Sequence, residues 1–167
     1  MSEIAEGIVR SSLIGAGATV LVDLWALFQT RLFGAAAPDW ALVGRWFAGF
    51  PQGRFVRENI AKAPTIRGEL AIGWIAHYAI GIAYAALLLS ICGLAWARQP
   101  TLLPALSFGV VTVAAPFFLM QPGLGLGVAA SKTQNPGSAR LRSVLAHTIF
   151  GLGLYLAAWL SASLIRS

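Results

Sequence analysis

Apolar residues fall into four long runs, covering residues 9–32, 69–94, 102–120 and 144–165. Spanning ~30 Å of hydrocarbon takes about 20 residues of helix, so each run is long enough to cross a bilayer. The pattern predicts an all-α, polytopic membrane four-helix bundle in which residues 1–167 form one integral membrane domain. The third span should be kinked or thinned at Pro116, where a proline interrupts the helical ladder. A tight connection holding Arg98 and Pro100 makes spans two and three an antiparallel hairpin.

The connections differ in character. In the first, Pro38-Asp39 precedes Trp40, Leu42, Val43, Trp46, Phe47 and Phe50, with Gly49 and Pro51 at the end. This reads as a short capped helix over residues 39–49 whose aromatic face lies in the membrane interface. A re-entrant lid over a cavity is the alternative. Residues 52–67 read as a basic loop. After the third span, Gly123, Gly125 and Gly127 alternate before Lys132. Alternating glycines can present backbone N–H groups to an anion, but neither spacing nor context matches a phosphate-binding loop. A flexible or partly re-entrant segment at the membrane edge is expected instead.

Composition agrees with the pattern. Of 167 residues, 57% are hydrophobic and 11% charged, whereas soluble domains are roughly 25% charged. The net charge of +6 does not point to nucleic acid, because no basic patch with interleaved stacking aromatics stands outside the membrane loops. The bilayer is the expected partner. One side collects Arg31, Arg45, Arg54, Arg57, Lys62, Arg67, Lys132, Arg140 and Arg142, and the other Arg10, Arg98 and Arg166. The positive-inside rule then makes the first and third loops cytoplasmic and both termini periplasmic. Glu3, Glu6 and Asp23, and the lack of a small-residue cleavage site, favour a retained first span over a signal peptide. Cys92 is the single cysteine, so no intramolecular disulfide can form.

Ionisable groups inside spans are costly and point to function. Asp23 lies ~14 Å from the Leu32 end of its span, His77 ~12 Å beyond Glu69 and His147 ~8 Å beyond Arg142, at 1.5 Å per residue. All three, with Gln121 at the end of span three, are expected in the same half of the bilayer. Small residues accompany them at i+4 spacing: Gly15, Thr19 and Asp23; Glu69, Gly73, His77, Gly81 and Ala85; Ser143, His147 and Gly151. Such stripes let helices approach closely, turning the polar groups inward. Glu69, Trp25, Trp74, Tyr78 and Arg142 flank the proposed site, with Glu69 and Arg142 at its cytoplasmic mouth. Ala76-His77-x-x-Ile80-Gly81 is echoed by Ala146-His147-x-x-Phe150-Gly151, as two parallel helical-hairpin repeats would require.

Three readings of the polar set stay open. The groups could carry protons for small-solute transport or sensing, since histidine titrates near neutrality and a carboxylate can share its proton. They could merely fix helix packing. His77 and His147 could ligate a metal or haem, although two histidines on separate helices carry no spacing signature and no cofactor can be named. A membrane enzyme, with Asp23, Glu69 and the histidines as general acid and base, is a less favoured fourth reading, because no nucleophile motif, phosphate-binding array or HExxH occurs. Four short spans leave little room for a private substrate path, so a homodimer is plausible.

Several motifs resemble one family across nearly the whole chain: Ala18-Thr19 with Asp23-x-Trp25, Val43-Gly44-Arg45-Trp46, Gly73-Trp74 with His77-Tyr78-x-Ile80-Gly81, Pro116-Phe117-Phe118-x-Met120-Gln121-Pro122, and His147-x-x-Phe150-Gly151-x-Gly153-x-Tyr155. Together they are similar to a bacterial four-helix inner-membrane family, domain of unknown function 2938. The resemblance implies a bacterial inner-membrane location and no activity. Thr133-Gln134-Asn135-Pro136 departs from the pattern, where a proline nearer the threonine would be expected.

Overall fold

The computed structural model describes residues 2–165, and all the regular structure among them is helical. Arg166, counted above on the periplasmic side, lies outside the described residues. Helix α1 runs Glu3–Phe33, α2 Trp40–Phe47, α3 Glu69–Arg98, α4 Leu102–Val111, α5 Gln121–Gly123 and α6 Pro136–Leu164. Short 3-10 turns occupy Phe50–Gln52, Ile60–Lys62 and Val128–Ala130, and a π-helical turn occupies Pro116–Met120. Glu3–Phe33, Glu69–Arg98, Leu102–Gly123 and Pro136–Leu164 are long and apolar enough to cross a membrane.

Helix ends follow local chemistry. The Ser2 hydroxyl caps α1 by accepting from the Ala5 N–H, and Gly34, at φ 61°, ends it in the left-handed conformation. The third span breaks as proline chemistry requires. Helix α4 stops at Val111, and Gln121 N–H then reaches back five residues to the Pro116 carbonyl. Helix α6 starts eight residues before the apolar run it carries, so Arg140 and Arg142 are helical rather than part of a loop. The reason is capping: Asn135 Oδ1 accepts from the Ser138 N–H, and Pro136 occupies the first helical position, where no N–H is needed.

The chain divides into two compact units. The first contains residues up to Ala35, Tyr78–Val111 and residues from Ala146 onward. It is a four-helix bundle of α1, the larger part of α3, α4 and most of α6. Its core joins Ile14, Ala18, Ala85, Leu88, Leu154 and Ala158. Tyr84 meets Phe108 and Phe150 edge-on, with ring centroids 6.2 and 6.0 Å away. Ile4, Leu13, Leu24, Leu27, Ile91, Val111 and Leu156 are exposed. A bundle that is apolar outside as well as inside is built for lipid, since soluble monomers rarely expose so much apolar surface.

Within this bundle helices meet at glycine. A Cβ at Gly15 would collide with the backbone of Gly81 and Ile82, and one at Gly109 with the backbone of Gly151. Gly81 and Gly151 each stand four residues after a histidine. Gly81 thus seats α3 on α1, and Gly151 seats α6 on α4.

The second unit contains Ala36–His77 and Thr112–Leu145. Asp39 Oδ1 caps α2, accepting from the N–H groups of Ala41 and Leu42. Trp46, Ile60 and Leu124 form its core, packed by Leu42, Phe47, Phe50 and Met120. Trp46 Nε1 donates to the Phe55 carbonyl at 2.7 Å, and its ring lies against Gly123. Helix α2 sits directly on the start of α3, because a Cβ at Gly44 would strike the Glu69 carbonyl and one at Gly73 the Trp40 carbonyl.

Candidate functional site

Asp23 sits on α1, partly buried, twenty residues after Glu3. Its Oδ2 accepts a 2.9 Å hydrogen bond from the Tyr78 hydroxyl of α3. One turn earlier, Thr19 is buried and turns its own hydroxyl back to the Gly15 carbonyl at 2.8 Å. The contact of Gly15 with Gly81 brings α1 and α3 close enough for this pair to form. Tyr78, expected only as a flanking residue, is thus a direct partner of the carboxylate.

His147 lies in the same unit on α6, partly buried, with its imidazole hydrogen-bonded to the Gly109 backbone of α4. That bond falls where Gly109 and Gly151 let the two helices touch. Trp25, two residues after Asp23 on α1, stacks on Phe28 with ring centroids 5.5 Å apart. Its indole N–H is buried without a hydrogen-bond partner among the described residues. Leu21, Leu24, Trp25 and Phe28 form a shallow apolar groove with Ile149 of α6.

His77 and Gln121 belong to the second unit. The His77 ring stacks on Trp40 with centroids 3.9 Å apart, and Trp74 meets it edge-on at 5.9 Å. Gln121 is 6% exposed; its Nε2 donates to Ser143 Oγ at 3.2 Å, while its Oε1 is buried without a partner among the described residues. Among those residues no three His, Cys, Asp or Glu side chains come together to hold a metal ion. The two histidines that sequence offered as ligands fall in different units, each engaged as described.

Glu69 takes Arg45 as its partner. Arg45 Nε and Nη2 donate to the two carboxylate oxygens at 2.8 Å each, the bidentate fork that arginine and carboxylate favour. Arg45 Nη1 donates to the Ile60 and Ala63 carbonyls, and the Ile66 N–H donates to Glu69. The Glu69 hydrogen bond holds the Arg45 guanidinium further above its ordinary range, and the pair ties α2, the following loop and the start of α3 together. Arg142 is exposed and donates to Ser138 Oγ at 3.3 Å, one turn back on α6.

A second polar cluster, not anticipated from sequence, stands in the first unit. Arg10 is 1% exposed, and its Nε donates to Glu6 at 2.7 Å. Glu6 also accepts two bonds from Arg98, at 3.0 and 2.6 Å. The Arg10 Nη groups reach Ser161 Oγ and the carbonyls of Ala97 and Ile165. One cation therefore satisfies carbonyls at the C-terminal ends of both α3 and α6, where the helix dipole also favours positive charge. The signal lay in the i,i+4 spacing of Glu6 and Arg10; the positive-inside count treats Arg10 and Arg98 only as loop charges.

The glycine-rich segment spends several of its N–H groups on its own turns. Its N–H donors turn inward: Gly125 to Pro122, Leu126 to Gln121, Ala130 to Gly127 and Lys132 to Leu126. Ala129 and Ala130 adopt positive φ of 47° and 58°. The Arg140 Nε bond to the Ala129 carbonyl, at 2.8 Å, helps hold that turn.

Four helices long and apolar enough to cross a membrane, two of them joined by an aspartate–tyrosine hydrogen bond, fit the class of polytopic α-helical membrane proteins. The chain belongs to the family described as Protein of unknown function (DUF2938), whose model matches residues 12–161. No curated protein and no solved structure matches it.

Proposed function

We propose that this protein is a proton-linked membrane protein, a transporter or sensor of a small solute, in which Asp23 is the proton-carrying group. The observation that carries the reading is the Asp23–Tyr78 hydrogen bond inside helices able to cross a membrane. The Tyr78 hydroxyl gives this carboxylate a hydrogen-bond partner on a second helix. On protonation the carboxyl gains a donor while keeping an acceptor oxygen for the Tyr78 hydroxyl, so it can engage a further group without breaking the contact between α1 and α3. His147, on α6 of the same bundle, is a second group able to exchange a proton. Ionisable residues within spans characteristically mark such relays. The bacterial inner membrane, with the nine-cation side cytoplasmic, is the proposed setting.

A packing role is the competing reading, favoured by the glycine contacts that surround the pair. Infrared difference spectra across a pH jump separate the two. A carboxyl C=O band that appears on acidification, disappears in Asp23→Asn and shifts in Tyr78→Phe supports the proton reading. Spectra identical in wild type and Asp23→Asn leave only packing.

A further inference from the structure

In this chain the best-buried arginines have carboxylate partners, Arg10 on Glu6 and Arg45 on Glu69. Arg57 differs. Its Nε is buried with no hydrogen-bond partner among the described residues. An unsatisfied buried donor on a charged group is costly, and it leaves the Arg57 guanidinium with hydrogen-bonding capacity that the protein does not use. Arg57, Glu58, Asn59, Lys62 and Ala63 line an open pocket of about 540 Å³. Its frame is fixed, because Arg57 N–H donates to the Gly123 carbonyl at 2.9 Å and Ile60 N–H to the Leu124 carbonyl at 3.1 Å.

The residues just before the pocket say what kind of anion. Phe55 and Val56 are 55% and 71% exposed, between Arg54 and Arg57. Two apolar side chains presented to the outside between two arginines fit the boundary between headgroups and acyl chains better than they fit water. We infer that this pocket binds the phosphodiester of an anionic glycerophospholipid. Arg57 and Lys62 take the phosphate oxygens, and Phe55 and Val56 lie against the start of the acyl chains. Glu58, the acid in the pocket, disfavours a bare multiply charged phosphate and can accept from a hydroxyl of a polyol headgroup. Phosphatidylglycerol is therefore the fitting chemistry, and a zwitterionic choline lipid is not.

Lipid binding to the purified full chain in a neutral detergent tests this, read by native mass spectrometry and by titration with phosphatidylglycerol, phosphatidylcholine and inorganic phosphate. Two charge-assisted contacts are at stake, so the Arg57→Gln/Lys62→Gln variant is expected to bind phosphatidylglycerol about tenfold more weakly or worse. Arg31→Gln, a charge change outside the pocket, should leave the affinity unchanged. Arg57→Lys keeps the charge but loses the buried Nε, and should lose part of the affinity while melting as wild type does. The proposal is overturned by unchanged affinity in the double variant, or by an equal loss in Arg31→Gln. Phosphatidylcholine or inorganic phosphate binding as tightly as phosphatidylglycerol also overturns it. If the double variant does not fold, full affinity in both Arg57→Lys and Lys62→Gln has the same force.

Discussion

An aspartate far from either end of an apolar helix persists only if something nearby rewards its charge or its proton. For Asp23 that partner is Tyr78, 55 residues away in sequence and 2.9 Å away in space. Interhelical hydrogen bonds in membranes are worth about 0.6 kcal/mol on average and up to about 1.7. Tyr78→Phe should therefore lower stability by about 1 kcal/mol, measured by thermal melting in detergent. Asp23→Asn keeps an acceptor for the Tyr78 hydroxyl and should melt within a few degrees of wild type. Arg10 behaves differently. It is buried on a carboxylate and two carbonyls; without it Glu6 keeps Arg98, but the Ala97 and Ile165 carbonyls each lose a charged donor, at about 1–3 kcal/mol for each buried group left unsatisfied. Arg10→Met should accordingly lower the melting temperature far more than Tyr78→Phe, and near-wild-type melting would show the cluster to be incidental. Sequence singled out Asp23 and Tyr78 because polar residues stand out against an apolar run. It did not join Arg45 to Glu69, because an irregular loop between them carries no periodicity from which a pairing can be read.

At the scale of elements, the contacts that position these side chains are made by backbone against backbone. Leucine at position 15 would press on the α3 main chain, which cannot move aside as a side chain can. Gly15→Leu should cost more than the 1–3 kcal/mol typical of overpacking, and should break the Asp23–Tyr78 bond as α1 and α3 separate. In the second unit, Trp46→Ala removes a buried ring and its bond to Phe55, and an aromatic-to-alanine change in a core costs about 3–5 kcal/mol. Limited proteolysis within residues 52–67 is the readout. The i+4 stripes of small residues foretold where the helices touch, since close approach demands glycine whatever the fold. Helix ends were harder to read. Hydropathy reports where lipid is crossed, whereas Ser2 and Asn135 start their helices well outside the apolar runs. The π-helical turn likewise follows from Pro116 only as a disturbance of unspecified shape.

For the molecule as a whole, the arrangement of charge supplies a topology that can be checked. In a Cys92→Ser background, an impermeant maleimide should label Gln99→Cys in intact cells, and Thr65→Cys only after permeabilisation. The reverse pattern would invert the proposed orientation. The four-helix architecture was legible because it rests on length and hydropathy, which the chain displays openly. How the polar residues sort into two units was not, since helical periodicity assigns a side chain to a face without naming its neighbour. The central claim, that Asp23 handles a proton, is tested most directly by proton flux in liposomes holding the purified protein, with a pH-sensitive dye inside. A flux driven by an imposed pH gradient, lost in Asp23→Asn while that variant melts as wild type does, is the expected result. Equal flux from wild type and Asp23→Asn, or none from either together with identical infrared spectra, would contradict it.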